Sequence, residues 1–184
     1  MTRNPLSFLV LALFLLTGIG CCPVTRLNIS VALDKSFQDR YGMNREVTVD
    51  IVGVNPVANV RWQTYSMTSY WEAQDTMRNS LPKKTLTLNS SKLDPQVVTS
   101  DDPVWKDWLA GSADKDPPQI YVLVQIPKTF DKAKDDKPGS EDVRRQILTT
   151  KSCRWQAGPG GGAPTVKLMV DADRLSTLTA AKPE

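Results

Sequence analysis

A mainly β domain of two packed antiparallel sheets with short helical insertions is the fold class this sequence predicts, and three features predict it. Apolar residues recur with period two in several short stretches. Helical patterns are few and brief. The strand–helix–strand rhythm of a parallel α/β sheet does not appear. The chain has 184 residues. With about 20 set aside at the start as a removable segment, the rest suits one hydrophobic core.

Taken in order, Asn28–Leu33 (NISVAL) places Ile29, Val31 and Leu33 on one face and is a first strand. Residues 34–45 read as a polar loop that carries Phe37, Tyr41 and Met43. Glu46–Val54 (EVTVDIVGV) alternates through Val47, Val49 and Ile51, and Asn55-Pro56 ends it. Residues 60–65 fit helix and strand equally well. Residues 70–80 (YWEAQDTMRNS) read as a short helix, with Ser69 as cap, Glu72 three residues on and Pro82 as the stop.

Residues 84–88 (KTLTL) form a compact strand with Leu86 and Leu88 on one side. Asp101-Asp102-Pro103 opens a helix with Val104, Trp105, Trp108 and Leu109 along one side, and Gly111 closes it. Residues 119–126 (QIYVLVQI) are rich in β-branched residues and are predicted to be a central strand. Residues 128–146, with six Lys/Arg and five Asp/Glu, read as a solvated loop. A strand within 146–155, a wide turn at 158–164, Thr165–Val170 (TVKLMV) and Leu175–Leu178 complete the set. The sandwich domain is expected over residues 28–179, with a disordered tail at 180–184.

The first 20 residues have the layout of an export signal. Arg3 precedes an apolar stretch of 14 residues, 6–19, and Gly18 and Gly20 follow. As a helix that stretch covers about 21 Å, short of the roughly 30 Å hydrocarbon layer of a bilayer. Gly18-Ile19-Gly20-Cys21 then sets a cysteine where the signal would be cut. This resembles the lipobox of bacterial lipoproteins, with Gly18 where that family usually has leucine. The resemblance implies a signal peptide over 1–20, acylation (diacylglycerol, palmitate-type chains) of Cys21, and a tether over 21–27. Cys22 is the alternative attachment residue, with Ile19 in the leucine position. Acyl chains contribute about 0.8 kcal/mol per buried methylene, so two or three hold a protein durably. With Cys21 acylated, Cys22 and Cys153 remain. In an oxidising compartment they either pair or stay as a free and a buried thiol.

The composition narrows the chemistry. There is no histidine, which removes the commonest general base, metal ligand and partner of a Ser or Cys nucleophile. An enzyme is therefore not expected, nor a cofactor or a metal. A carboxylate-based hydrolase has no recognisable acid pair. The acidic residues Asp131, Asp135, Asp136, Glu141 and Asp142 lack EF-hand spacing, and lysines interleave with them. The glycine run at 158–162 lacks the Gly-Lys-Ser/Thr of a P-loop. A formal net charge of +3 with both signs interspersed gives no basic face for nucleic acid.

Two surfaces remain as candidates. Phe37, Tyr41 and Met43, with Gly42 and Arg45, set apolar groups among charges on one loop, which suits a protein contact. Among Trp62, Trp71, Trp105, Trp108 and Trp155, the pair Trp105 and Trp108 suggests either a glycan- or cell-wall-binding platform or rings buried where a helix meets a sheet.

The order of elements is similar to the outer-membrane lipoprotein of type VI secretion systems (the TssJ family). The stretches that carry it are an anchor cysteine, NISVAL, a loop through Gly42, EVTVDIVGV, YWEAQDTMRNS and QIYVLVQI, with Cys153-Arg154-Trp155 leading to TVKLMVDADRL. The resemblance implies a transthyretin-like β-sandwich on the periplasmic face of the outer membrane. Its role would be non-catalytic: binding the periplasmic part of an inner-membrane secretion component. The partner-binding loop would fall on 34–45, at Phe37, Tyr41, Gly42, Met43 and Arg45. The charged loop 128–146 and the insertion around Trp105 and Trp108 depart from the family pattern.

Overall fold

Two four-stranded sheets face each other across a shared apolar core, and a layer of short helices covers the outer side of one of them. The computed structural model describes residues 24–110, 117–151 and 162–178. The strands are β1 (Asn28–Leu33), β2 (Glu46–Val54), β3 (Lys83–Asn89), β4 (Gln96–Val98), β5 (Gln119–Val124), β6 (Arg145–Thr149), β7 (Thr165–Val170) and β8 (Leu175–Leu178). One sheet runs β4-β1-β7-β8 and the other β3-β2-β5-β6. The strand at 119–124 is central, between β2 and β6, as its apolar run predicts.

The second sheet is antiparallel throughout, but β1 and β7 pair in parallel, from Asn28 opposite Thr165 to Leu33 opposite Val170. The expectation of two purely antiparallel sheets is corrected here. The entire second sheet lies between these strands in sequence, so no hairpin sets their relative direction and a long crossover permits the parallel pair.

In β1, β2, β3 and β7 the inward row is the one the alternation marks. Ile29, Val31 and Leu33 meet Val166, Leu168 and Val170 within one sheet. Across the core stand Val47, Val49, Ile51, Leu86, Leu88, Ile120, Val122 and Val124. The other face of β2 and β5 is buried too. There Val52, Val54, Tyr121 and Leu123 lie under Trp62, Met67, Tyr70 and Met77. Burial lifts the Tyr121 phenol to about 12, and its hydroxyl donates to Asn59 at 2.5 Å.

The helical layer is made of α2 (Pro56–Thr64) and α3 (Met67–Tyr70); α1 (Lys35–Tyr41) lies earlier, between β1 and β2. Asn55 does more than end β2: its side chain accepts from the Ala58 amide at 2.8 Å, with Pro56 at the first helical position. That turn resolves the ambiguity at 60–65 in favour of helix. Asn55→Ala is expected to lower stability by about 1 kcal/mol in urea denaturation, the usual cost of a lost cap.

Three other expectations are corrected. Residues 34–45 are not a loop throughout, because Asp34 caps Ser36 at 2.8 Å and α1 follows. Its single inward turn, Phe37 with Tyr41, is too short to register as helical periodicity. The helix expected over 70–80 ends at Tyr70, capped by Ser66 rather than Ser69, and the chain then turns repeatedly. Asp75 drives those turns by accepting from the Arg78 amide at 2.7 Å. Finally, 128–146 is not solvated throughout: it holds α5 (Lys132–Asp135) and a 3-10 turn (Gly139–Glu141), and Asp142, Arg144 and Arg145 are buried. The helix expected after Asp102 is present as α4 (Val104–Trp108).

Of the expected tether, residues 24–27 are docked on the domain. Leu27 is buried in the core, and the Thr25 amide donates to the Thr150 carbonyl at 2.8 Å.

Candidate protein-binding surface

The five residues expected at a partner-binding loop separate into two groups. Phe37 is fully buried, and Tyr41 stacks on it at 4.8 Å while its hydroxyl donates to the Ala172 carbonyl at 2.9 Å. Phe37 is therefore corrected from a contact residue to a packing residue that seats α1 on the sandwich, and half-buried Tyr41 packs on it. Gly42, Met43 and Arg45 are exposed on the turn that follows, and Met43 is 68% exposed. The turn uses the left-handed region twice, at Gly42 (φ 83°) and Asn44 (φ 64°), and this swings Met43 outward.

Buried Ser90 holds that turn rigid. Its hydroxyl donates to the Gly42 carbonyl at 2.7 Å and accepts from the Arg45 amide at 2.8 Å. Its own amide donates to the Arg45 carbonyl at 2.9 Å, and the Gln38 side chain donates to its carbonyl at 2.8 Å. With the backbone already fixed, docking of the exposed side chain costs only its own rotamer freedom and no further ordering of the turn.

Beside the turn lies a groove of about 700 Å³, with Asn44, Arg45 and Glu46 on one wall and residues 125–129 on the other. It continues, through shared Gln125, Ile126 and Lys128, into a pocket of about 170 Å³ that Met67, Trp71, Phe130 and Arg144 complete. The Arg144 guanidinium stands 4.1 Å from the Phe130 ring centroid. The buried Trp71 indole N–H has no hydrogen-bond partner among the described residues. A pocket that sets Met67, Trp71, Ile126 and Phe130 beside Lys128 and Arg144, next to a polar groove, mixes apolar and polar lining as protein-contact sites do.

A buried ionic cluster shapes this surface from below. Arg144 donates to Asp142 at 2.7 and 2.9 Å, to Asp136 at 2.5 Å and to the Thr68 hydroxyl at 3.1 Å. Ser66 and Thr68 also donate to Asp136. Burial alone would raise the Asp136 carboxyl, but the bonds from Ser66, Arg144 and Thr68 outweigh it and hold the group below its usual range. Burial likewise works against the Arg144 charge, and the two carboxylates overcome it and raise the group. Arg145 differs: among the described residues its guanidinium donates only to carbonyls, those of Trp62, Tyr65, Lys137 and Gly139, and burial lowers it. It ties the helical layer to the 137–145 segment.

The tryptophan platform is overturned. Trp105 and Trp108 are 0% and 4% exposed, and their rings meet edge to face at 5.0 Å. Their indole N–H groups donate to the Thr99 and Pro82 carbonyls, both at 3.0 Å. Neither ring is available to a glycan. Cys21, Cys22, Cys153 and Trp155 lie outside the described residues, as do the turn at 158–161 and the tail. Among the described residues no group of three or more Cys, Asp or Glu is arranged to hold a metal ion, and no helix is long and apolar enough to cross a membrane.

Two groups of residues escaped sequence reasoning. Ser90 carries no local signal, since it acts on residues more than forty positions away, and the Asp142-x-Arg144 spacing gives no hint of the burial or of the distant Thr68 contact. Asp50, in mid-strand, reads as an outward polar position. It is instead fully buried, and accepts from Arg78 at 2.9 Å, Thr85 at 2.6 Å and Tyr70 at 3.2 Å. Burial and the Asp50 charge push the Tyr70 phenol far above its ordinary value.

No protein-family model matches the chain, and no curated protein matches it. Solved structures do. One is described as the C-terminal domain of the type VI secretion (T6SS) protein TssM from EAEC, with TM-score 0.52, 14% identity, and coverage of 83% of this chain and 99% of that one. A second is a type VI membrane complex (TM-score 0.52, 12% identity, 85% and 99% coverage). A third is Lip of Serratia marcescens, a membrane-bound component of the type VI secretion system (TM-score 0.51, 11% identity, 86% and 99% coverage). At these identities the likeness is one of fold, and the chain has the fold of these secretion-system proteins.

Proposed function

We propose that this chain is the lipid-anchored lipoprotein of a type VI secretion membrane complex, a non-catalytic component that works by binding another envelope protein. Acylation of Cys21, with Cys22 as the alternative, would hold it at the outer membrane, with the domain facing the periplasm. The partner would be the periplasmic part of an inner-membrane secretion component. The shared fold, the export-signal layout of residues 1–20 and the geometry of one turn support this reading.

The observation that carries the binding role is Met43, 68% exposed on a turn whose backbone buried Ser90 fixes on both sides, next to a groove walled by Arg45. The contact residues are Met43, Arg45 and the groove beside them, with Gly42 setting the backbone, and Phe37 and Tyr41 supporting them from below.

The test is the affinity of the full chain for the periplasmic domain of its cognate inner-membrane component. Met43→Asp with Arg45→Glu is expected to weaken binding at least tenfold, or about 1.4 kcal/mol. Val97→Asp, at the 48% exposed edge of β4, should leave it unchanged. Equal binding by the Met43/Arg45 variant would remove the turn from the interface. Failure of the unaltered chain to bind at all would remove the partner.

A further inference from the structure

The strand register puts the chain's entry into the domain and the start of α2 at the same pole. Val54, Gln119 and Thr149 lie on one rung of the second sheet, and just past Thr149 the chain pairs Lys151 with Val24. The rung from β2 to the Val24 segment crosses three strand spacings, about 15 Å. Asn55 and Pro56 open α2 directly beyond Val54. The Met43 turn is at the other pole, before Glu46, about 27 Å away along β2. Only positions 22 and 23 stand between Cys21 and Val24, and three extended steps span at most about 11 Å. Acyl chains on Cys21 would therefore bring the α2 pole to the lipid, and on Cys22 they would bring it closer still.

The surface of this pole is apolar and basic. The helix α2 turns Ala58 and Trp62 inward onto the sheet and Val57, Val60, Arg61 and Thr64 outward. Val57 is 92% exposed and Val60 73%, and Pro56 beside them is exposed too. Single apolar side chains on a surface are ordinary. These two lie one turn apart on one helix face. The exposed cations at this pole are Arg26, Arg61, Lys106 and Lys151, against the exposed carboxylates Asp101 and Asp107, among the described residues.

We propose that the first two turns of α2 dock on the phospholipid surface that holds the acyl anchor. Val57 and Val60 enter the boundary between headgroups and acyl chains, and Arg61 and Lys151 lie against the phosphates. Aliphatic side chains flanked by Arg and Lys are what interfacial helices present to lipid. Two valines and a proline offer far less than the roughly 800 Å² that each partner gives to a stable protein interface. On a surface to which the chain is already attached they suffice, because the anchor makes the contact intramolecular. The consequence is orientation: the domain stands on the α2 pole, and the Met43 turn points away from the membrane.

The inference rests on the acylation proposed above. For the test, the full chain is made from its own signal with photo-reactive benzoylphenylalanine in place of Val57, Val60 or Met43, one position at a time. Isolated envelopes are irradiated, and mass spectrometry of the recovered chain scores attached phospholipid, cross-linked protein and N-terminal fatty acid in the same sample. Positions 57 and 60 should carry phospholipid about fivefold more often than position 43. Val60→Asp, at an exposed site that tolerates it, should lower the yield at position 57 about threefold, whereas Val60→Leu should keep it. Acylated chain with no more lipid at 57 and 60 than at 43 would overturn the docking and leave the anchor standing. So would a second copy or another protein attached at 57 and 60 in place of lipid. Chain without fatty acid, or held in the cytosol, would overturn the anchor and the docking with it.

Discussion

Replacing Arg144 with methionine is expected to lower the stability of this protein by about 3–5 kcal/mol at pH 7, the cost of stranding a buried charge. Arg144 is 2% exposed and is the cation between Asp136 and Asp142. Methionine fills much of the same space, so the loss reports the charge rather than a cavity. Asp142, fully buried, would keep only backbone N–H donors, from Lys137 and residue 144 itself.

The pH dependence has a definite sign. Asp136 titrates below the ordinary carboxylate range in the folded protein, held there by the bonds from Ser66, Arg144 and Thr68. The unaltered protein therefore holds this contribution above about pH 4 and loses it as pH falls through the depressed value. In Arg144→Met the Asp136 carboxylate loses the cation that helps to offset its burial, so its charged form is favoured less by folding. The variant should accordingly gain on the unaltered protein as pH falls from 7 to 4. Urea denaturation at the two pH values measures it. A deficit that stays the same, or one below about 1 kcal/mol at pH 7, would mean that water reaches the cluster and screens it.

Gly53→Ala should lower stability by about 3 kcal/mol and Tm by roughly 6–12 °C for a domain of this size. Gly53 continues the inward row of β2 after Val47, Val49 and Ile51, and Trp108 occupies the place its side chain would take. A Cβ there would lie 2.4 Å from both Cβ and Cγ of Trp108. Those atoms sit at the root of the side chain, so rotation gives no escape. The ring is further held by its bond to Pro82 and by Trp105. In a strand free of such contact, Gly→Ala would be neutral or stabilising by up to about 1 kcal/mol. Trp108→Ala alone should cost about 3–5 kcal/mol, but less in the Gly53→Ala background, because it relieves the clash. A double-mutant cycle by thermal denaturation reads this coupling. Strict additivity would show that α4 shifts as a unit and does not press on β2.

Much of the fold was legible along the chain. Alternation at Ile29-Val31-Leu33 and at Val166-Leu168-Val170 marks buried faces that need only neighbouring residues to be recognised. The apolar run at 120–124 marks a strand buried on both sides for the same reason. Asp102 and Pro103 announced a helix because capping is local chemistry. The candidate surface was legible only in part: the segment around Gly42 was identified, but the roles of its residues were not. Phe37 and Met43 are equally apolar and six positions apart, and nothing local says which points inward.

By itself, then, the sequence determined every described strand but the short β4, the start of α4, the export-type N-terminal layout and the lack of any histidine for catalysis. Only the tertiary structure decided that β1 and β7 run parallel, that Trp105 and Trp108 are core, that Asp50, Asp142, Arg144 and Arg145 are buried, and that Met43 rather than Phe37 meets solvent. The physical reason is range. Periodicity, capping and turn chemistry act over one to four residues, whereas the Arg144–Thr68 and Ser90–Gly42 bonds join positions 76 and 48 residues apart, which only the packed sheets bring together.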